Sequence, residues 1–390
     1  MGVEEHAPYG DLGLIGMRGT EELAGRIDFY LTRWRSELHP PGQLSMEDAF
    51  QFEPGRFQIQ ADCLRFNTGE GKALIQQSVR GYDLYLLTDP FNYGVTYSLR
   101  GVEVPMGPDE HFQDLKRVIA ACGGKARRIT VIMPMLYEGR QHRRFSRESL
   151  DCALSLQELS NMGVENFVTF DAHDARVQNA IPLKGFENVH PTYQMLKALF
   201  RAYPDFAIDK RSLMIVSPDE GGIDRCIYYS SVLGVELGMF YKRRDYSRVV
   251  DGRNPIVKQE FLGDNVAGKD VIVVDDMISS GDSILSVAHI LKGLGARRIL
   301  MFCSFGLFSE GLEKFDEAYA QGAFDKVFTT NLVYCPAELR ARPWYYMVDM
   351  SKYISYIIET LNHDCSISEL LESAGRIEKL LGGRKKGSEQ

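Results

Sequence analysis

No CxxC pair occurs in this sequence, and its seven cysteines, at 63, 122, 152, 226, 303, 335 and 365, are scattered and odd in number. That pattern argues against a disulfide framework or a thiolate zinc site, and it suits a reducing compartment. Long apolar runs are also missing. The longest, ILMFCSFGLF at 299–308, falls far short of the roughly 20 residues a membrane-spanning helix needs. The opening MGVEEHAPYGDLG has neither a basic stretch nor an apolar one, so no signal peptide is expected. Positive charge is not in excess either. A net charge of −8 over 390 residues argues against a nucleic-acid-coating role and confines any anion site to a local basic patch. These absences predict a cytoplasmic protein with no membrane or nucleic-acid partner.

What the sequence does contain is alternation. Strand-like runs at 83–88, 129–135, 166–171, 212–217, 237–241, 271–275, 298–304 and 326–330 are separated by helical patterns. Those patterns lie at 111–122, 147–162, 221–233, 282–294 and 310–321. Strand–helix alternation predicts an α/β fold with mainly parallel sheets and chemistry at the strand C-termini. There are too many strands for one small sheet, and 182–211 forms a natural waist, so two similar domains are expected. Two stretches, 38–65 and 89–109, are rich in Pro, Gly and Tyr and read as long loops.

Residues just past the strand ends carry the chemical signal. After 129–135 come Arg140, Gln141, His142, Arg143 and Arg144, and after 237–241 come Lys242, Arg243 and Arg244. One such cluster is more often a solvated charge run, but two at equivalent strand ends point to phosphate recognition. Asp171 and His173 follow 166–171. Two residues apart on an extended segment, they would point the same way and could share one ion; taken alone, such a pair is more often a plain Asp–His hydrogen bond than a metal site. Asp219 precedes Gly221-Gly222 after 212–217; the paired glycines permit close approach of a ligand, but taken by itself the stretch reads first as an ordinary Asp-capped turn.

The stretch VIVVDDMISSGDSIL at 271–285 poses an electrostatic question. A β-branched run ends in Asp275 and Asp276, and Ser279-Ser280-Gly281-Asp282-Ser283 then feeds a helix. A small-residue loop at a helix N-terminus is built for phosphate, yet it opens on two carboxylates. A sugar phosphate resolves the conflict: the 279–283 backbone takes the phosphate, while Asp275 and Asp276 accept from ribose hydroxyls or act through Mg²⁺. The extra basic clusters imply a second, more highly charged ligand such as a nucleoside triphosphate. The loop lacks the glycine–lysine core of a P-loop, and no GxGxxG follows a strand, which sets aside P-loop NTPases and dinucleotide enzymes.

Taken in order, these stretches resemble the ribose-phosphate pyrophosphokinase family. FNTGE at 66–70 with SVRGYDLYLL at 78–87 is similar to the family's FSDGE and NVRGxDIFII. MLYEGRQHRR is similar to YxxYARQDRK, VTFDAHDARVQ to VTxDLHxxQIQ, SPDEGGIDR to SPDxGGVxRA, YKRR to DKRR, and GDNVAGKDVIVVDDMI to GDVxGRDxxLVDDMI.

The resemblance implies two phosphoribosyltransferase-like domains, at 12–188 and 189–350, each a mainly parallel sheet flanked by helices, with the active site between them. It further implies C-terminal helices at 351–382 that pack back on the first domain, before a tail at 383–390 read as disordered. The implied reaction transfers the diphosphoryl group of MgATP to the 1-hydroxyl of ribose 5-phosphate, with Mg²⁺ as cofactor, in a homo-oligomer. By position, Lys242 and Arg244 would be catalytic cations on a flexible loop. Phe66, Glu70, Arg140, Gln141 and His142 would contact ATP; Asp275, Asp276, Ser279, Ser280, Gly281, Asp282 and Ser283 would hold ribose 5-phosphate; and His173, Asp219 and Asp171 would attend the metal.

Three departures stand out. Thr68 replaces the aspartate of FSDGE, His142 replaces that of RQD, and Asp282 puts a carboxylate where the family's DTGGT loop has glycine. If Asp282 faces the phosphate, binding should weaken; if it turns outward, the cost is small. The competing reading is a catalytically weak regulatory paralogue that assembles with an active synthetase. Such proteins typically damage the catalytic cations or metal residues, which here are kept.

Overall fold

The computed structural model describes residues 6–38, 57–244 and 256–387. In chain order the elements are β1 (Asp11–Gly16), α1 (Glu21–Leu38), β2 (Ala61–Arg65), β3 (Gly71–Ile75), β4 (Tyr82–Leu87), β5 (Thr96–Leu99), β6 (Val102–Pro105), α2 (Pro108–Cys122), β7 (Arg128–Ile132), α3 (Asp151–Asn161), β8 (Asn166–Phe170) and β9 (Gly185–Val189). They continue with α4 (Thr192–Ala202), β10 (Leu213–Ser217), α5 (Ile223–Leu233), β11 (Glu236–Arg244), β12 (Ile256–Leu262), β13 (Asp270–Ile278), α6 (Asp282–Gly293), β14 (Arg298–Gly306), α7 (Glu313–Ala320), β15 (Lys326–Thr330), α8 (Ala337–Arg340), β16 (Tyr345–Val348), α9 (Ser351–Asn362), α10 (Ser368–Leu371) and α11 (Ala374–Gly387).

The chain forms two compact units. The first takes residues up to His190 together with Asn331–Tyr334 and Asp349–Glu372; the second takes Pro191–Thr330, Cys335–Val348 and Ser373 onward. The change of unit at His190/Pro191 falls inside the stretch read as a waist, which is itself structured as β9 and α4.

The first unit is built on a five-stranded sheet ordered β1-β4-β7-β8-β9, every pairing parallel. Strands β1, β4, β7 and β8 are buried on both faces, as βαβ crossovers require, while the edge strand β9 is mostly half-buried. Helix α2 starts at Pro108, three residues before the apolar pattern, because proline suits the first helical turn and the Glu110 carboxylate accepts from the Gly107 N–H at 2.9 Å. It stops at Gly123, whose φ of +59° is a left-handed C-cap. Helix α9 joins this unit through a buried polar network. The Arg35 guanidinium donates to Glu359 at 2.9 Å and to Asn362 at 2.7 Å, and the Asn362 amide donates to buried Asp83 at 2.9 Å.

The stretch 89–109, read as a loop, contains the β5–β6 hairpin. Of 38–65, residues 61–65 form β2, and 39–56 lie outside the described residues.

The second unit has a seven-stranded sheet ordered β12-β11-β10-β13-β14-β15-β16, parallel except for β12. Strand order reverses between β10 and β13, since the chain moves outward to β11 on one side and to β14 on the other. In open α/β sheets ligands bind beyond the carboxyl ends of strands at such a reversal.

Two strands run further than the apolar pattern suggests. Strand β13 continues past the acidic pair to Ile278 because β14 keeps pairing with it, Met277 opposite Phe305 and Ile278 opposite Gly306. Strand β11 continues to Arg244 because antiparallel β12 lies beside it, with Lys242 opposite Gln259. Lys242 and Arg244, expected on a flexible loop, therefore stand on a strand; 245–255 lie outside the described residues.

The last helix corrects the expected C-terminal arrangement. Helix α11 packs on α4 and α5 of the second unit, with the Arg376 guanidinium 5.2 Å from the Tyr193 ring centre and Ser373 Oγ 2.9 Å from Tyr228 Oη. It also carries on to Gly387, into the stretch read as a disordered tail; 388–390 lie outside the described residues.

Candidate active-site residues

In the second unit the candidate residues gather at the sheet's reversal point. After β10, the Asp219 carboxylate accepts from the backbone N–H groups of Gly221 at 3.0 Å and Gly222 at 3.3 Å, closing a tight turn. Gly222 then caps α5, and no side chain caps that helix. A Cβ at Gly222 would lie 3.1 Å from Ser217 Oγ and 3.7 Å from Asp275 Oδ1, so the glycine brings this backbone close to the neighbouring strand's carboxylate.

Asp275 Oδ1 accepts from the Asp276 N–H at 2.9 Å and lies 4.0 Å from Arg225 Nη1. Burial and the adjacent Asp276 push the Asp275 carboxyl well above the usual carboxylate range, against the pull of Arg225. Arg225 closes the SPDEGGIDR stretch quoted above but was given no role there. Its signal was available, because it lies three residues after Gly222, one turn into the helix that the glycine pair opens.

Beyond β13, Gly281 has φ +88° and begins α6, which has no side-chain cap. A Cβ there would stand 2.4 Å from the buried Phe315 ring, so only glycine permits this turn. The loop is tied down by the Ser309 N–H donating to Ser279 O at 3.0 Å. The Asp282 N–H leans on Ser280 Oγ at 3.4 Å, but the start of α6 still brings backbone N–H groups and the positive end of a helix dipole to the loop, the elements of an anion site. Asp282 is turned outward: its carboxylate accepts from Lys314 Nζ at 2.7 Å and from Ser280 Oγ at 3.1 Å.

In the first unit a second group follows β7 and β8. Glu138, at φ +54°, and Gly139 turn the chain after Leu136. Arg140 is exposed, and Gln141 Nε2 donates to Ser149 O at 2.8 Å, closing the basic loop. His142 lies 3.5 Å from Asp174, and its ring centre is 5.4 Å from that of His173. Burial holds the His142 imidazole below its ordinary pKa, and its buried Nδ1 has no hydrogen-bond partner among the described residues. The Arg176 guanidinium keeps Asp174 well below the usual carboxylate range.

The expected Asp171–His173 geometry is not extended. Strand β8 ends at Phe170, and Asp171 has φ +45°, so the argument that two side chains on a strand point alike does not apply. Asp171 is buried, with Oδ1 3.1 Å from His190 Nδ1, while His173 is exposed beside His142. His190, the last residue of this part of the unit, also went unread; its signal was its place just after β9.

Phe66 and Glu70 sit on the tip of the β2–β3 hairpin. The Phe66 N–H donates to Glu70 O at 2.8 Å, and Phe66 is 56% exposed. Thr68 Oγ1 donates to Glu70 Oε2 at 2.8 Å, so the threonine that replaces the family's aspartate orients the neighbouring carboxylate. Lys242 and Arg244 are placed here by backbone alone, on the strand next to β10.

Among the described residues no group of three or more His, Cys, Asp or Glu side chains is arranged to hold a metal ion. Mg²⁺ does not require such a cage, because it commonly binds through one or two carboxylates plus substrate phosphates. Asp219, at a strand end, fits that mode, whereas Asp171, buried against His190, does not. All seven cysteines carry free thiols. Burial pushes those of Cys63 and Cys152 up to about 12 and that of Cys122 to about 11. No helix among the described residues is long and apolar enough to cross a membrane.

Known proteins resemble this chain in sequence and in fold. Residues 14–163 match the family described as the N-terminal domain of ribose phosphate pyrophosphokinase, and residues 193–329 match the phosphoribosyl transferase domain. The ribose-phosphate pyrophosphokinase of Prochlorococcus marinus is 27% identical over 79% of this chain and 84% of its own length. That of Ralstonia nicotianae is 29% identical over 69% and 76%, and that of Mycoplasma genitalium 27% over 80% and 86%. The crystal structure of phosphoribosylpyrophosphate synthetase from Mycobacterium smegmatis superposes with a TM-score of 0.71 at 20% identity, covering 91% of this chain and 99% of that one, and so shares its fold. With both domains matched in order, this chain belongs to the ribose-phosphate pyrophosphokinase family of enzymes.

Proposed function

We propose that the protein transfers the β,γ-diphosphoryl group of ATP to the 1-hydroxyl of ribose 5-phosphate, giving phosphoribosyl diphosphate and AMP. The observation that carries this reading is the acidic pair Asp275-Asp276 running into the Gly281 turn, where carboxylates for sugar hydroxyls adjoin helix N–H groups for a phosphate. Asp275 and Asp276 accept from the ribose diol, and the backbone of Ser279, Ser280, Gly281, Asp282 and Ser283 takes the 5-phosphate. Arg140, Gln141 and His142 contact the ATP phosphates, and Phe66 and Glu70 the base.

The 1-hydroxyl oxygen attacks the β-phosphorus and gives up its proton to solvent, the bond to the α,β-bridging oxygen breaks, and AMP leaves with that oxygen. Such a transfer asks little covalent chemistry of the protein, so positioning and charge neutralisation carry the rate. Lys242 and Arg244 supply positive charge to the transferring group. Bound Mg²⁺ would neutralise phosphate charge, with Asp219 as an oxygen ligand and His173 beside the phosphates.

A phosphorus NMR time course of the purified protein with MgATP and ribose 5-phosphate tests the reading. Growth of AMP together with a new diphosphate ester is expected. Intact ATP in the presence of cleanly folded protein would overturn it and favour the regulatory paralogue.

A further inference from the structure

Asp282 puts a negative charge in the first turn of α6, within the loop read above as a phosphate cradle. A carboxylate free to swing over that loop would repel the ligand. In the structure its Oδ1 accepts from Lys314 Nζ at 2.7 Å, and Lys314 also pairs with Glu310 one turn earlier. Ser280 Oγ, inside the loop, donates to the other carboxylate oxygen at 3.1 Å. Lys314 belongs to α7, just after β14, and Phe315, the next residue, fills the space under Gly281. The same turn of α7 thus shapes the loop from below and holds its one acidic side chain to the side.

We propose that Lys314 is a positioning residue for sugar-phosphate binding, drawing the Asp282 carboxylate out of the phosphate loop so that the α6 N-terminus accepts an anion. The proposal rests on the ribose 5-phosphate reading of that loop. The ammonium of Lys314 holds the Asp282 carboxyl below the usual carboxylate range, so the charge is present at neutral pH and must be placed somewhere. Both partners are largely solvent-exposed, at 65% for Asp282 and 41% for Lys314. An exposed ion pair of this kind adds little to folding stability, so its contribution lies in where it keeps the carboxylate.

The test is calorimetric binding of ribose 5-phosphate to the full-length protein and to K314M, K314R, D282G and D282G/K314M. K314M should raise Kd about three- to tenfold, the size of a screened carboxylate–phosphate repulsion at a surface. The ratio of K314M to wild-type Kd should shrink as salt rises. K314R should stay near wild type, and K314M should have no effect in the D282G background. In turnover, K314M should move KM for ribose 5-phosphate and leave kcat and KM for ATP in place, a split that general loosening of the fold would not give. An unchanged Kd in K314M overturns the proposal. So does an equal loss in the D282G background, which would mean that Lys314 attracts the phosphate directly. Absence of ribose 5-phosphate binding by the wild type would instead fall on the reading of the loop itself and remove this proposal with it.

Discussion

At Gly281 the chain needs a backbone angle of φ +88° directly above a buried aromatic ring. The virtual Cβ stands 2.4 Å from Phe315, which stacks on Trp344 at 5.5 Å and meets Phe308 edge-on at 5.0 Å. The ring cannot retreat into this cluster without moving its neighbours. Gly281→Ala therefore meets both a left-handed backbone penalty and overpacking, together about 2–4 kcal/mol of lost stability. Urea unfolding of the variant checks this, and a loss under about 1 kcal/mol would show that Phe315 has room to give. Lys242 is the opposite kind of residue, since its proposed work lies in the transition state. Lys242→Ala should cut turnover by about two orders of magnitude or more while leaving the unfolding midpoint near wild type. Near-normal rates would remove Lys242 from the catalytic machinery.

At the scale of elements, the β5–β6 hairpin braces the turn that carries Phe66 and Glu70. The Arg100 N–H donates to Asn67 O at 3.3 Å, and the Leu99 side chain reaches within 3.0 Å of where a Cβ of Gly69 would be. On its other side the hairpin is held by Arg18 Nη2, which donates to Thr96 O at 2.8 Å. An exposed hairpin tip is costly to hold in one place, because each ordered residue loses conformational entropy. Replacing 96–105 with a short Gly–Ser linker should therefore raise KM for ATP several-fold, with KM for ribose 5-phosphate little changed. Initial rates with each substrate varied in turn measure the split; equal changes in both would show that the hairpin serves the fold as a whole.

For the whole molecule, the informative feature is a buried carboxylate that ties distant segments of chain together. Asp89, just past β4, accepts from the N–H groups of Phe91 at 3.1 Å and of Tyr334 at 2.7 Å, 245 residues away in sequence but in the same unit. Burial raises its carboxyl from 3.8 to about 7, against the two N–H donors. Between those values the folded chain keeps a proton that the unfolded chain has released. Stability should therefore fall as pH rises through that window and level off above about 7. Denaturant unfolding of wild type and Asp89→Asn at pH 5 and pH 8 checks the sign: the wild type should lose more stability between the two than the variant does. An equal loss would assign the pH dependence to other groups.

Sequence alone determined whatever depends on local pattern. The β-branched run Val271–Val274, the glycines at 221, 222 and 281, and the basic residues from Arg140 could be placed at strand ends because period and turn chemistry are local properties. The two-domain α/β class followed from alternation, and the family from motifs kept in order. Tertiary structure decided what depends on a partner strand or a distant side chain. Strands β11 and β13 run past their apolar segments because β12 and β14 pair with them, which no window of sequence shows. Asp171 turned to His190, and His142 came to lie beside His173, because β9 and the basic loop were brought to the end of β8. Whether Asp282 opposes or tolerates a phosphate was an open question in the sequence. In the structure its carboxylate accepts from Lys314, 32 residues further on, and from Ser280, contacts that only the fold brings together.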